Sequence, residues 1–466
     1  MFQTFGRIIT SAAVALTLAG SAQAESFKLP PYETYALPNG MKVYLMPQKE
    51  VPLLHVSVAL QAGSAYDGNQ YGLASFTSEA LKLGTKSFTK DKLEELFDFH
   101  GAYFGAGAEQ DISLVMLSLA AKDADKLLPV LSEIVTSPIF PEKEVVKLRE
   151  RTVSQLKKAK ESPNQLADGF FNRLVFDKHP YGTPVSGTPN SIGKLNRTDL
   201  QKFHVSVYRP QNAAIAVVGD LDIPTMKKLV EKNFGSWSTG AVPAKSTLPG
   251  FDGKSSGRVL LVDKNDSHET TFRIGGVGVK RDSPDWIGLQ VVNTILGGRF
   301  TSLLNEELRV KTGLTYGARS RFDGMKNAGV FSISSFTATD NTEKALDLAL
   351  KTYTGFVKSG VDAATLESAK AYVKGQFPPR YETTDALSGL LIEIWAYNLS
   401  DAIINNFETE VNNLTVERAN DLIKKYFPVE NPDILLIGQA SKIQDIAKKY
   451  GRVTRTDITA AQEGRL

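Results

Sequence analysis

The chain is predicted to be an α+β protein built from two tandem copies of one α/β unit, each a mixed sheet packed with helices. The first observation behind this is a repeat. Asn212 to Gly219 and Asn431 to Gly438 are apolar runs that each close on glycine, at an offset of 431 − 212 = 219. The helix openings before them, Leu195-Asn196-Arg197-Thr198 and Leu414-Thr415-Val416-Glu417, keep that offset. A strand–helix–helix run recurs as Ile112 to Leu156 and Val330 to Phe377, with Gln155 and Gln376 in register at 376 − 155 = 221. A fixed internal period of this kind marks a duplicated unit. The second observation is that period-two strand patterns are interspersed with paired helical ones in both halves, as expected of a sheet with helices laid on it.

Taken in order, Met1 to Ala24 read as a secretory signal: Arg7 gives the positive start, Ile8 to Ala19 the apolar stretch, and Ala22-Gln23-Ala24 a small-residue cleavage site. The sequence has no twin-arginine pair and no cysteine for lipid attachment, so the expectation is a soluble protein exported by the plain secretory route and located in the periplasm, with no membrane anchor. Cleavage near Ala24 would leave 466 − 24 = 442 residues, room for two to four domains of ordinary size. The N-terminal unit is placed at 25–240 and the C-terminal unit at 257–466, with the Gly-, Ala-, Pro- and Ser-rich Thr239 to Arg258 as linker.

Met41 to Met46 and the alternating Leu54, Val56, Val58 and Leu60 predict strands. Gly72 to Thr85 predicts a short helix ended by Gly84, with Leu73, Phe76, Ala80 and Leu83 on one apolar face and Ser75, Ser78, Glu79 and Lys82 on another. Helices follow at Lys90 to Phe99, Ala124 to Val135 and Lys143 to Lys160, the last stopped before Pro163. Ile112 to Ala120 and Ala213 to Val218 are the remaining strands of the first half.

Composition removes several classes of function. Basic and acidic residues nearly balance, 54 against 51, and no basic run is interleaved with aromatics, so nothing points to nucleic acid. The absence of cysteine excludes disulfides, thiolate metal sites and cysteine nucleophiles. The five histidines, His55, His100, His179, His204 and His268, never fall at metal-binding spacing. No Gly-x-Ser-x-Gly elbow or phosphate-binding loop is present.

The frame Gly72-Leu73-Ala74-x-Phe76 through Leu81, Gly84 and Thr85 closely resembles the active-site helix of the pitrilysin, insulinase and mitochondrial-processing-peptidase family of zinc peptidases. The order of further segments extends the resemblance over nearly the whole mature chain: Ala62-Gly63-Ser64 with Asp67, His179-Pro180-Tyr181-Gly182 with Gly187-Thr188, and Tyr208-Arg209-Pro210 running into Val218-Gly219-Asp220. In that family the helix carries His-x-x-Glu-His and a later helix gives a third, Glu ligand. Here Ser75, Ser78 and Glu79 stand in the motif, and alignment of Leu148 to Pro163 puts Gln155 at the third-ligand position. Hydroxyls and a neutral amide are poor zinc ligands, and Glu79 is expected to pair with Lys82 one turn on. The expectation is a metal-free site that is not catalytic on its own. Taken alone, the stretch also fits an ordinary surface helix.

Leu296-Gly297-Gly298, Thr301 to Arg309 and Lys311 to Tyr316 strongly resemble the family's second motif. There an Arg and a Tyr, spaced as Arg309 and Tyr316 are (316 − 309 = 7), reach substrate backbone beside the zinc. A guanidinium and a phenol are suitable donors to an oxyanion. The ordinary alternatives are an ion pair of Arg309 with Glu306 and a core position for Tyr316.

The resemblance implies half of a clamshell. The chain would be the substrate-binding subunit of a heteromeric zinc metallopeptidase, with zinc and His-x-x-Glu-His in a partner of the same family and with a peptide as substrate. The second possibility is a peptide-binding or structural scaffold of the same fold without an associated peptidase.

Overall fold

In the computed structural model, which describes residues 27–240, 248 and 250–459, the apolar runs form two six-stranded mixed sheets. The predicted signal, Met1 to Ala24, lies outside the described residues, as do 241–247 and 249 within the predicted linker. No helix among the described residues is long and apolar enough to cross a membrane.

The first sheet is built from β1 (Glu33–Ala36), β2 (Lys42–Pro47), β3 (Leu53–Leu60), β4 (Tyr103–Ala108), β5 (Ser113–Ala120) and β6 (Ala213–Gly219), in the order β1-β2-β6-β3-β5-β4. The second uses β7 (Arg258–Asp263), β8 (Glu269–Val277), β9 (Arg319–Gly324), β10 (Gly329–Ala338), β11 (Asp433–Gly438) and β12 (Arg452–Asp457), in the order β12-β7-β11-β8-β10-β9. Five positions correspond one to one, and in both sheets the central strand arriving late in the unit, β6 or β11, runs parallel to one neighbour and antiparallel to the other. The sixth strand breaks the repeat. β1 precedes its unit and pairs antiparallel with β2, whereas β12 closes the described chain and pairs parallel with β7.

The helices that position the site are α1 (Leu73–Ala80), continued by a 3₁₀ turn over Leu81–Leu83, α2 (Lys90–Phe99), α3 (Ala124–Thr136), α4 (Glu142–Ala159) and α5 (Pro163–Phe176). The carboxylate of Asp67 fixes the start of α1, accepting from Gly72 N at 2.7 Å and Ala74 N at 2.8 Å. Gly72 has φ +88°, and a Cβ there would meet Gly187 Cα at 2.7 Å, so the turn needs glycine for conformation and for space.

The two units exchange helices. α5, from the first unit, lies on β8 and β11, while the helix Thr384–Tyr397, displaced from α5 by 384 − 163 = 221, lies on β3 and β6. Phe170, Phe171 and Leu174 therefore share a core with Leu260, Leu435 and Ile437, and Leu391 and Ile392 share one with Ala59, Ala214 and Ala216. This explains β3, whose alternation alone would leave its polar face to water. Seven of its eight residues are buried: the second face is roofed by the exchanged helix, where Ser388 Oγ donates to Ser57 Oγ at 2.9 Å. At the corresponding place on β8 (273 − 57 = 216) stands Arg273, whose Nε donates to Asp168 Oδ1 of α5 at 2.9 Å.

Candidate functional site

The α1 face splits where the sequence groups it. Glu79 faces a cavity of about 550 Å³ together with Lys82, the edge strand β4, and Arg151 and Gln155 of α4. Ser78 points the other way and is fully buried. Its hydroxyl donates to Ala74 O at 2.9 Å and meets Tyr208 Oη at 3.1 Å. The physical reason is that a buried hydroxyl must find partners, and α1 is mostly buried rather than a surface helix. Ser75 is half-buried.

Burial pushes the Glu79 carboxyl up, against the pull of Arg151 and then of Lys82. Lys82 thus acts on Glu79, but the expected pairing is corrected: among the described residues no ion pair to Glu79 closes to within 4.0 Å. Arg151 is the group that sequence reasoning missed. It stands one helical turn before Gln155 on the same helix, and that spacing is the signal that would have found it.

The donor set does not fit a catalytic zinc. Of Ser75, Ser78, Glu79 and Gln155 only Glu79 is an ordinary zinc ligand, and Ser78 is committed to the core. Among the described residues no group of three or more His, Cys, Asp or Glu side chains could hold a metal ion.

The histidines stand apart from one another. His55 Nδ1 lies 2.7 Å from Ser118 Oγ, and His100 Nδ1 lies 3.2 Å from an Asp123 oxygen. His179 caps the turn at Tyr181, accepting from Tyr181 N at 3.2 Å. His204 is buried beneath α1, stacked 4.6 Å from Tyr208, with Nε2 2.8 Å from Val135 O. A carbonyl only accepts, so Nε2 carries the proton and donates.

Burial lowers the His204 pKa to about 4. Its unfolded value is about 6.5, so above that pH neither state binds the proton and this contribution to stability is complete. As pH falls through 6.5 the unfolded chain gains a proton that the folded chain refuses until about 4. We therefore expect roughly 2 to 3 kcal/mol of stability to be lost between those limits. Urea midpoints at pH 7, 5.5 and 4 check this, and a His204→Gln variant should show a shallower pH slope; equal slopes would refute it.

In the second half, the motif around Gly297 and Gly298 folds into two π-helical turns, Thr294–Gly298 and Glu306–Lys311. Gly297 passes so close to β9 that a Cβ would lie 2.3 Å from Ser320 N. Asn293 and Ser320 fasten that approach: Asn293 Nδ2 donates to Ser320 O at 2.9 Å and Ser320 Oγ to Asn293 Oδ1 at 2.7 Å.

Arg309 emerges from the second π turn with its guanidinium 4.8 Å over the ring of Phe300. That stack replaces the alternative ion pair with Glu306, while neighbouring Glu307 takes Lys311 at 2.7 Å. Tyr316 is 81% exposed, so it does not fill the core, and its ring lies 6.4 Å from that of Phe336. The turn that presents it precedes β9 and is tied down from β10, where Thr337 Oγ1 donates to Leu314 O at 2.7 Å and Ser335 Oγ to Gly317 O at 3.0 Å. Asn305 links both displays, donating from Nδ2 to Phe300 O at 2.7 Å and accepting from Ala318 N at 3.4 Å. The fold thus holds out an exposed guanidinium and an exposed phenol, and among the described residues Arg309 makes no ion pair within 4.0 Å.

Comparison with known proteins bears on the family and the fold. A family model described as insulinase (peptidase family M16) matches residues 43–189, and one described as peptidase M16 inactive domain matches 194–373. A Bacillus subtilis protein named uncharacterized zinc protease YmxG is 22% identical over 398 residues, 84% of this chain and 95% of its own. A Helicobacter pylori protein named non-peptidase homolog YmxG is 23% identical, over 84% of this chain and 90% of its own. Among solved structures, a peptidase M16 inactive domain from Pseudomonas fluorescens superposes with a TM-score of 0.82 at 26% identity, covering 88% of this chain and 98% of the other. The first half of the periplasmic protease PqqL from Escherichia coli does so with a TM-score of 0.72 at 15% identity, covering 91% and 98%, a likeness of fold alone.

Proposed function

The chain belongs to the insulinase (M16) peptidase family, and from that premise we propose that it is a non-catalytic member acting as the substrate-binding subunit of a heteromeric, exported zinc metallopeptidase. Its partner carries His-x-x-Glu-His and the zinc, and Arg309 and Tyr316 complete the partner's site for hydrolysis of a peptide. The observation that carries this is an asymmetry within one chain. The zinc half-site holds Ser75, Ser78, Glu79 and Gln155, whereas Arg309 and Tyr316 are both presented to solvent, the first from a π turn and the second from the braced turn before β9.

Two relatives support it. The Helicobacter pylori homologue is named a non-peptidase, and the Escherichia coli neighbour is the first half of a larger periplasmic protease, so a unit of this fold occurs there as one part of a longer assembly. In this reading Arg309 and Tyr316 donate hydrogen bonds to the oxygen of the attacked carbonyl as it gains charge.

The test is a gentle purification of the tagged mature protein from its own periplasm. The expected result is stoichiometric recovery of a second chain of similar size bearing His-x-x-Glu-His, with zinc in that chain. Recovery of the protein alone, or with an unrelated protein, would overturn the split-site assignment and favour a peptide-binding scaffold.

A further inference from the structure

The two units meet around a cavity of about 650 Å³ lined by residues of both sheets. This lies within the range of small-ligand pockets, about 300–1,000 Å³. Arg281 is its most unusual feature. The residue is only 8% exposed, its guanidinium lies 4.7 Å from the ring of Trp286, and its Nε donates to Glu393 Oε1 at 2.6 Å. One face and one edge are thereby fixed, yet Nη1 is buried and has no hydrogen-bond partner among the described residues. A planar fork held in this way suits a carboxylate.

The opposite need is present in the same cavity. Glu109 is pushed up by burial and then by the nearby carboxylates of Asp111 and Glu393. Tyr397 is raised by burial and by those same acids, which keeps its phenol a donor. A single water could satisfy Nη1, but it would leave the crowded carboxylates as they are. A cation placed among them would relieve their repulsion. Phe322, Ile392 and Met325 supply apolar wall between the charged groups.

We propose that this cavity binds a short zwitterionic peptide, a di- or tripeptide, with its carboxylate on Arg281 and its ammonium at Glu109 beside Glu393. The residues come from both units, Glu109 from the first and Arg281 and Glu393 from the second, so the site exists only in the assembled chain. It involves neither Arg309 nor Tyr316 and needs no second protein. Its failure would leave the split-site assignment where it stands.

Calorimetric titration of the full mature chain with the dipeptide Leu–Leu, its C-terminal amide and its N-acetyl form tests the proposal without disturbing the fold. Leu–Leu should bind with a submillimolar Kd, and each blocked form about ten- to a hundredfold more weakly, the scale of one charge-assisted hydrogen bond. Glu109→Gln should weaken Leu–Leu by about tenfold and leave the N-acetyl form unchanged. No binding of Leu–Leu at millimolar concentration, equal affinity for all three peptides, or an unchanged Glu109→Gln titration would each overturn it.

Discussion

Asp168→Ala is expected to destabilise the chain by about 1 to 3 kcal/mol, because it leaves the buried Arg273 without its ion partner while the Asp168 carboxylate, 43% exposed, is partly screened by water. The side chain of Arg273 is 7% exposed and sits on β8 beneath α5, the helix contributed by the other unit. Its Nε donates to Asp168 at 2.9 Å, and its other hydrogen bonds go to neutral acceptors, Phe272 O at 3.1 Å and Asn164 Oδ1 at 3.4 Å. Without Asp168 the guanidinium stays in the seam with little to compensate it. Arg321 also loses its 2.8 Å bond to Asp168 but keeps Asp323 and is more exposed, so its share is small.

Replacing both partners, as in Asp168→Ala with Arg273→Met, should recover much of the loss, because the double variant buries no unpaired charge. Urea unfolding of the three proteins measures this. A single variant with the wild-type midpoint, or a double variant no more stable than the single, would refute the seam as the weak point. Burial alone would raise the Asp168 carboxyl, but Arg273 and Arg321 outweigh it and hold it below the ordinary range. Its contribution is therefore complete above about pH 4 and is lost as pH falls through its lower folded value, so wild type and variant should converge in that acid range.

The same seam shows what was legible beforehand. The duplication was visible because Asn212 to Gly219 and Asn431 to Gly438 are each local, and the strand and helix patterns that frame Gln155 and Gln376 are local too. Which sheet each helix covers is not local. Phe170, Phe171 and Leu174 announce a buried face, but nothing in their spacing says that the sheet beneath belongs to the other unit. Edge strand β4, Tyr-Phe-Gly-Ala-Gly-Ala, lacks the β-branched residues that mark strands, and it escaped notice. Ser78 was grouped with Glu79 by helical period, yet Tyr208, 208 − 78 = 130 residues away, decides where its hydroxyl turns. The Phe300 stack was hidden for a similar reason, since the π turn that brings Arg309 over the ring has no glycine or proline to signal it. Arg281, Glu393 and Glu109 carry no motif at all, and their convergence is a product of the helix exchange.

If the proposed split-site peptidase assembles, Arg309→Ala should lower its kcat/KM about ten- to a hundredfold, because one charge-assisted hydrogen bond contributes roughly 1.5 to 3 kcal/mol. The variant should still fold and assemble. The guanidinium lies over the exposed ring of Phe300, and a surface cation–π contact is worth about 0.5 to 1 kcal/mol. Zinc content of the proposed complex should also be unchanged, since in that assignment the metal would reside in the partner. Tyr316→Phe keeps the ring beside Phe336 and deletes one hydroxyl, so a smaller loss, about tenfold, is expected. Arg309→Lys retains the charge but not the planar fork, and should fall between wild type and alanine. If both residues meet charge that develops during the reaction, the loss appears in kcat; if they only hold the peptide backbone, it appears in KM. Wild-type kcat and KM in an intact, zinc-loaded complex of either the Arg309→Ala or the Tyr316→Phe chain would remove that residue from the site.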